Sequence, residues 1–97
     1  MESFTVTKII DGDTFDVQGW TWNGKSGTRV RAYGYNTPEV NQPGYESAKQ
    51  RLESIIAGNS WTVQLGEAHT IDTYGRLVCD VFIDDIPLAN YFPEYPI

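Results

Sequence analysis

Hydrophobic and polar residues alternate with the two-residue period of β-strands along the first third of the chain. The alternation predicts three strands, over residues 4–10, 14–18 and 28–35. Asp11-Gly12-Asp13 and Asn23-Gly24 fall between these runs, and both sequences favour tight turns. The chain is therefore predicted to begin with a hairpin and a third strand, before any helix.

The hydrophobic period changes to that of an α-helix after Tyr45. The apolar positions that share one helix face are Ala48, Leu52, Ile55 and Ile56. Gly58 is placed to end this helix, because glycine is favoured just beyond the last helical turn. The pattern therefore predicts one principal helix that begins at Tyr45.

Two further strands are predicted beyond the helix, over residues 60–65 and 77–83, with 66–75 as a loop. The last segment, 87–97, has two prolines in its final five residues and can hold no more than a turn or two of helix. The resulting order, β-β-β-α-β-β, is that of an OB-fold, a five-stranded Greek-key barrel. We therefore expect a mainly β fold with one principal helix (α+β), organised as a single domain over residues 1–97.

The composition argues against a basic DNA-coating protein, a disulfide-stapled protein and a membrane-spanning protein. The 97 residues include 13 acids and seven bases, a formal net charge of −6 that opposes nonspecific attraction to a polyanion. The single cysteine, Cys79, excludes an internal disulfide, and no run of about 18 apolar residues could cross a bilayer. We expect a monomer that does not span a membrane. If the protein binds nucleic acid, we expect it to do so through a small site instead of an extended basic surface.

Two groups of charged residues stand out, one acidic at the first predicted turn and one basic on the third predicted strand. Asp11, Asp13 and Asp16 stand within six positions at a strand end, where their mutual repulsion is destabilising unless they are solvated or bind a positive group. Arg29 and Arg31 share one face of the predicted third strand, and neither guanidinium is easily buried without a partner. The residues alone favour an ordinary solvated turn and leave a cation site open.

Four stretches together resemble the staphylococcal nuclease, or thermonuclease-like, family. They are IDGDT at 10–14, RVRAYGYNTPE at 29–39, YESAKQRLESIIAGN at 45–59 and DTYGR at 72–76. Each short motif is common by itself, but their order and spacing are specific, and the similarity covers roughly residues 5–88. The resemblance implies an OB-type barrel with calcium-dependent phosphodiesterase activity on DNA and RNA, which leaves a 3′-phosphate and a 5′-hydroxyl.

The resemblance also implies a calcium site built from oxygen donors. Asp13 would be a ligand through its carboxylate, and Thr37 through its backbone carbonyl. Where the family usually has an aspartate before the Thr-Pro-Glu sequence, this chain has Asn36, whose amide oxygen can still coordinate calcium. One negative charge fewer predicts a weaker site, since the number of charged ligands tunes calcium affinity.

Three catalytic residues follow from the same resemblance. Arg31 would hold the phosphate and stabilise the transition state, Glu39 would be the general base for the attacking water, and Arg76 would hold the phosphate and assist the leaving group. Arginine suits the phosphate role because its planar guanidinium can contact two oxygens at once. The predicted function is therefore calcium-dependent hydrolysis of single-stranded or flexible nucleic acid.

Other functions stay open at this point. The acidic sequence at 11–13 is also an ordinary turn, and Arg31 and Arg76 could be structural, pairing with Glu39 or Asp72. The same barrel could be a non-catalytic module that binds an oligonucleotide or a protein, with a metal site weakened by the missing carboxylate. An acidic scaffold within a larger assembly is a third alternative.

The remaining conspicuous residues favour structural roles. We expect His69 at the surface, Cys79 in the core and Asp16 in solvent. Trp20 and Trp22 alternate near a hairpin and could stack on unpaired bases, but such residues more often cap the end of a barrel. We expect the capping role.

Overall fold

The secondary structure follows the predicted order of elements. The computed structural model describes residues 1–97. Its elements are β1 (Glu2–Asp11), β2 (Thr14–Trp22), β3 (Lys25–Ala32), α1 (Tyr45–Gly58), β4 (Thr62–Ile71), β5 (Leu77–Ile83), β6 (Ile86–Pro87) and a 3₁₀ turn at Leu88–Tyr91. The predicted helix and the order β-β-β-α-β-β are confirmed, and the two-residue β6 is an addition to them.

Five strands close into a barrel. Neighbouring strands pair in the order β3-β2-β1-β4-β5-β6, and β3 also pairs with β5, in parallel. This parallel contact joins the two ends of the five-stranded sheet, so β3 and β5 satisfy each other's backbone groups instead of remaining open edges. The predicted mainly β barrel with one principal helix is therefore confirmed.

The predicted loop at 66–75 is wrong over its first half, where the chain continues β4. Glu67, His69 and Thr70 interrupt the apolar pattern and conceal the strand, but Ala68, Thr70 and Ile71 pair with β5. Hydrogen bonds to a neighbouring strand do not require apolar side chains, so a strand on the barrel surface can be polar. β4 also begins at Thr62 instead of Ser60, because Ser60 has a left-handed backbone with φ 58°.

β3 lies three residues earlier in the sequence than predicted. It spans Lys25–Ala32, and the chain turns at Tyr33 and Gly34 instead of continuing as a strand to Tyr35. Gly34 has φ 107°, a conformation that a residue with a side chain rarely adopts. This turn places Tyr35 in the core, where it is fully buried.

The core fills the barrel, and α1 packs against β1 and β4. The helix buries Ala48, Leu52 and Ile56, whereas Ile55 is only half-buried. Cys79 is completely buried, as expected, and burial raises the pKa of its thiol to about 12. No helix of the structure has the length and the apolar character that a bilayer-spanning helix needs.

Hydrogen bonds and an ion pair connect the C-terminal segment, residues 88–97, to α1. Arg51 donates two hydrogen bonds to the carboxylate of Glu94, at 2.8 and 2.7 Å, and a third to the carbonyl of Tyr91, at 3.0 Å. Leu88 and Phe92, on the same segment, are buried in the core. The hydrogen bonds from Arg51 lower the pKa of Glu94 to about 2.

Glu94→Gln is expected to lower stability at neutral pH but not at pH 2. A carboxyl whose pKa falls from 4.5 to about 2 on folding stabilises the folded protein above pH 4.5, and this stabilisation is lost as the pH falls towards 2. The urea midpoints of wild type and variant should therefore differ at pH 7 and converge near pH 2. Glu53→Gln, on the exposed face of α1, removes an acid without an ion pair and should show no such trend. A Glu94→Gln deficit that persists at pH 2 would contradict this prediction.

Candidate active site

The candidate site lies where the turn between β1 and β2 meets the end of β3 and the start of β5. In the β2–β3 pairing Thr14 stands opposite Arg31, and in the parallel β3–β5 pairing Arg31 stands beside Val78. Arg76 precedes β5 by one residue, and Asp13 precedes β2 by one residue. Segments far apart in the sequence therefore converge here because the β3–β5 contact closes the barrel.

Asp13 is a buried carboxylate, and both of its oxygens have partners. Oδ1 accepts a hydrogen bond from the hydroxyl of Thr14 at 3.0 Å. Oδ2 accepts the backbone N–H of Thr37 and faces Nη2 of Arg31, each at 3.2 Å. Because a buried carboxylate without such partners would be strongly destabilising, these contacts tie the acidic turn to the Thr37 loop and to β3.

Gly12 lets the acidic turn approach the Thr37 loop closely. A Cβ at this position would lie 2.8 Å from Oγ1 of Thr37 and 2.9 Å from the Cβ of Ala48 in α1. Both distances are too short for non-bonded atoms, so a side chain here would push the loop or the helix away. The absence of a side chain at Gly12 therefore permits the hydrogen bond between Asp13 and Thr37.

Arg31 is held by acceptors on several sides. Nη1 donates to the carbonyl of Ala32 at 2.6 Å and to that of Tyr35 at 3.3 Å. Nη2 donates to Oδ1 of Asn36 and also contacts Asp13. Nε has no acceptor within the protein, so the guanidinium is fixed and keeps one donor available for an anion.

Arg76 reaches the same place from the start of β5. Its Nε donates to Oδ2 of Asp72 at 2.7 Å, Nη1 lies 3.5 Å from the hydroxyl of Thr14, and Nη2 has no acceptor. Oδ1 of Asp72 accepts the backbone N–H groups of Tyr74 and Arg76, both at 3.0 Å. Partial burial acts to raise the pKa of Asp72, but the hydrogen bonds outweigh it and lower the pKa. The ionised carboxylate of Asp72 therefore positions Arg76. The pairing of Arg76 with Asp72, one of the structural alternatives open from the sequence, is present.

Glu39 is not part of this network. It is exposed on the loop after Thr37, and its carboxylate forms no hydrogen bond or ion pair. Its backbone is held instead, because the N–H of Glu39 donates to Oε1 of Gln42 at 2.7 Å and the N–H of Gln42 donates to the carbonyl of Glu39 at 2.9 Å. The role of Glu39 as general base stays a prediction.

Tyr35 belongs to the site, although the sequence pattern does not single it out. Its hydroxyl donates to the carbonyl of Gly12 at 2.8 Å, and its ring stacks on Phe92 with centroids 4.6 Å apart and planes 7° apart. Burial, with the charge of Asp13, raises the pKa of Tyr35, so the phenol stays protonated and remains a donor. In a strand that continued to residue 35, Tyr35 would share a face with Arg31, but the chain turns after β3 and Tyr35 is buried instead.

Thr14 is the second site residue that the sequence analysis does not assign. It is 1% exposed, and its hydroxyl joins the carboxylate of Asp13 to the guanidinium of Arg76. A signal for this role exists, because Thr14 ends the IDGDT stretch and directly follows the predicted metal ligand. A buried hydroxyl between two charged groups is a positioning element, because it can donate to one group and accept from the other.

The expectation that Asp16 lies in solvent is wrong. Its carboxylate accepts two hydrogen bonds from Arg29, at 3.0 and 3.2 Å, and its side chain is only 16% exposed. The two residues stand opposite each other in the β2–β3 pairing. Both arginines of β3 therefore have acidic partners, Arg29 with Asp16 and Arg31 with Asp13.

Three other residues have the structural surroundings expected for them. His69 lies at the surface, although on β4 instead of in a loop, and its ring stacks on Tyr33 with centroids 4.2 Å apart. Trp20 is buried, with its indole N–H bonded to a backbone carbonyl at 3.0 Å. Trp22 is half-buried and packs against the core at the end of β2. The capping role expected for the two tryptophans agrees with this packing.

Asp13, Asn36 and Thr37 provide oxygen donors, the type of ligand that a hard cation such as Ca²⁺ prefers. The carboxylate of Asp13 and the amide oxygen of Asn36 both contact Nη2 of Arg31, so a cation bound here would have to share these oxygens with the guanidinium. The carbonyl of Thr37 accepts no hydrogen bond, and its hydroxyl is buried without a partner. No three His, Cys, Asp or Glu side chains are grouped closely enough to hold a metal ion. A site here therefore depends on amide and carbonyl oxygens as well as on one carboxylate.

Comparison with known proteins gives a limited likeness to nucleases. No protein-family model matches the chain. Two curated proteins are similar to it, each named an uncharacterized endonuclease, one from Escherichia coli O157:H7 and one from Escherichia coli. Each is 28% identical over 87 residues, which cover 90% of this chain and 52% of the relative. The chain thus spans about half the length of the curated relatives it matches, and the resemblance to the staphylococcal nuclease family stays a prediction.

Proposed function

We propose that this chain is a calcium-dependent nuclease that hydrolyses phosphodiester bonds within single-stranded or flexible nucleic acid. The proposal rests on the convergence of Arg31 and Arg76 on the adjacent residues Asp13 and Thr14. Two fixed guanidiniums around one point are suited to a phosphate group. The 28% identity to two proteins named endonucleases supports the same class of reaction.

The substrate phosphate would bind through the donors that the protein leaves free, Nε of Arg31 and Nη2 of Arg76. The other nitrogens of both guanidiniums are bonded to backbone carbonyls, to acidic or amide side chains and to the hydroxyl of Thr14, so the donors are in place before substrate arrives. Donors that need no rearrangement stabilise the charge that builds on phosphate oxygens, and each is worth about 10²–10³ in rate. We call Arg31 and Arg76 the phosphate clamp.

The overall charge limits the substrate to a locally bound strand. Duplex DNA is usually held by many Lys and Arg contacts to phosphates, and a chain with a net charge of −6 is poorly suited to provide them. A single strand can bend to bring one phosphate into the clamp without an extended basic surface. This argument favours single-stranded or flexible nucleic acid as the substrate.

Hydrolysis requires that water attack phosphorus while the bond to the 5′-oxygen breaks. Glu39, whose carboxylate has no partner, would accept the proton from the water. Arg76 would stabilise the departing 5′-oxygen, which would take up a proton from solvent water, so the products carry a 3′-phosphate and a 5′-hydroxyl. Asp13, Asn36 and Thr37 would hold Ca²⁺, which would supply Lewis-acid chemistry for the phosphate group.

Digestion of denatured DNA tests the proposal. Cleavage should occur inside the strand when Ca²⁺ is present, stop when a chelator is added and resume when Ca²⁺ is restored. The new 5′ ends should accept label from polynucleotide kinase without prior phosphatase treatment, because they carry hydroxyls. A sample that is folded by circular dichroism and leaves the DNA intact at every Ca²⁺ concentration would overturn the proposal.

Asn36→Asp is expected to raise calcium affinity by about tenfold or more, because it adds a charged ligand to a site that has one carboxylate. Cleavage at limiting calcium should rise with it. Titration calorimetry with Ca²⁺ and the initial cleavage rate are the measurements. Asn41→Asp adds the same charge at an exposed position of the same loop and should change neither quantity appreciably. Equal gains from the two variants would mean that Asn36 is not a ligand.

A non-catalytic binding module is the second candidate. The observation that favours it is the shortage of acids at the site, where Asn36 replaces a carboxylate and no three acidic side chains cluster. Such a module would retain a labelled single strand in a filter-binding assay with or without Ca²⁺, and neither wild type nor Asn36→Asp would cleave it. Binding together with calcium-dependent cleavage would exclude this candidate.

A further inference from the structure

A cavity of about 710 Å³ opens where β1 begins and β2 ends. Glu2 and Trp22 line it, whereas the opposite ends of the same two strands, Asp11 and Thr14, flank the acidic turn of the candidate site. At about 3.3 Å per residue, the eight steps from Thr14 to Trp22 span roughly 26 Å. Leu77, which follows Arg76, also lines the cavity, but Asp13, Arg31 and Arg76 do not. The proposed nuclease function therefore does not use the cavity.

Three aromatic side chains, Phe4, Trp20 and Trp22, line this cavity. Phe4 and Trp22 are half-buried, so part of each ring is open to a ligand. The indole N–H of Trp20 is already bonded within the protein, so Trp20 offers its ring and no donor. Gly27 lies directly against that ring, since a Cβ there would be 2.6 Å from its Cζ2 atom. The aromatic wall is therefore supported from the neighbouring strand.

Two carboxylates give the cavity a negative charge. Glu2 and Glu67 both line it, both are exposed, and neither takes part in an ion pair. No Lys or Arg side chain lines the cavity, and the two carboxylates outnumber the one basic group of the lining, the amino group of Met1. The net charge of −6 for the whole chain has the same sign, so the field at this end of the barrel favours a cation.

We propose that this cavity binds an organic cation of the quaternary ammonium class. Aromatic faces attract cations, and tryptophan does so best. A quaternary ammonium has no N–H groups, so it needs no hydrogen-bond acceptors from a wall that is largely aromatic and aliphatic. Glu2 and Glu67 add attraction at the exposed side, and the cavity has the size of a small-molecule site.

Tryptophan fluorescence tests this with choline and with 3,3-dimethyl-1-butanol, its neutral isostere, added to the intact chain. The titrations use a Trp61→Phe background, because Trp61 is 39% exposed and does not line the cavity. Choline should cause a saturable change, with an affinity about tenfold or more above that of the isostere, since only the cation gains from the rings and carboxylates. Equal affinities, or no saturable change with choline, would overturn the proposal.

Variants separate a cation site from an apolar groove. Glu67→Gln should weaken choline binding several-fold and leave the isostere unaffected, whereas Glu53→Gln, an exposed acid on α1, should leave choline binding unchanged. Trp22→Ala should abolish the choline response in a chain that remains folded by circular dichroism. If neither Glu67→Gln nor Trp22→Ala weakens choline binding, the ligand binds outside this cavity. None of these readouts depends on nuclease activity, so their failure is distinguishable from failure of the proposed function.

Discussion

Arg31→Lys is expected to slow calcium-dependent cleavage by about 10²–10³-fold in a protein that remains folded. Lysine keeps the positive charge, so Asp13 retains a cationic partner. It has no planar fork, however, and cannot donate to the carbonyls of Ala32 and Tyr35 while it also holds a phosphate oxygen. The expected loss therefore comes from geometry and not from charge. Single-turnover cleavage of a single-stranded oligonucleotide at saturating Ca²⁺ measures it.

Arg29→Lys is the matched control for this prediction. Arg29 lies two residues earlier on the same face of β3 and makes two hydrogen bonds to Asp16, so the substitution disturbs a similar pair outside the phosphate clamp. Its cleavage rate should stay near that of wild type. Equal losses in the two variants would mean that both arginines act only through stability, and full activity of Arg31→Lys would remove Arg31 from the clamp.

The parts of the fold that could be predicted depend on local sequence signals. Helix α1 repeats its apolar residues on one face and ends with a glycine, so its existence follows from neighbouring residues alone. The parallel contact of β3 with β5 has no such signal, because it joins residues 30–32 to residues 77–79 only when the barrel closes. The second half of β4 is similar, since its hydrogen bonds to β5 and not its own side chains make it a strand.

The residues of the candidate site also divide into those that the sequence indicates and those that depend on contacts made only in the fold. The resemblance to a family singles out Asp13, Arg31 and Arg76. The structure pairs Arg31 with Asp13 and connects Arg76 to Asp13 through the hydroxyl of Thr14. The partner of Asp16 could not be predicted, because the β2–β3 register is irregular beyond Asp16 and sequence spacing does not show which residue stands opposite. Tyr35 could not be predicted either, because its inward position depends on a turn that interrupts strand alternation.

Phe92→Ala is expected to lower the free energy of unfolding by about 3–5 kcal/mol, the range found for buried phenylalanines. Phe92 is 1% exposed, its ring stacks on Tyr35, and the guanidinium of Arg51 lies 5.0 Å from its centroid. Small domains have a total stability of only about 5–15 kcal/mol, so the loss is a large fraction. Urea unfolding followed by tryptophan fluorescence measures it.

The same substitution should also disturb the candidate site, because Phe92 supports the ring of Tyr35 and the hydroxyl of Tyr35 holds the carbonyl of Gly12 beside Asp13. At a temperature where the variant is still folded, the amide signals of Gly12 and Asp13 should shift and exchange faster with solvent. Phe82→Ala removes a half-buried phenylalanine from β5 and should cost less stability without moving these signals. If the two variants leave Gly12 equally undisturbed, the C-terminal segment closes the core but does not support the acidic turn.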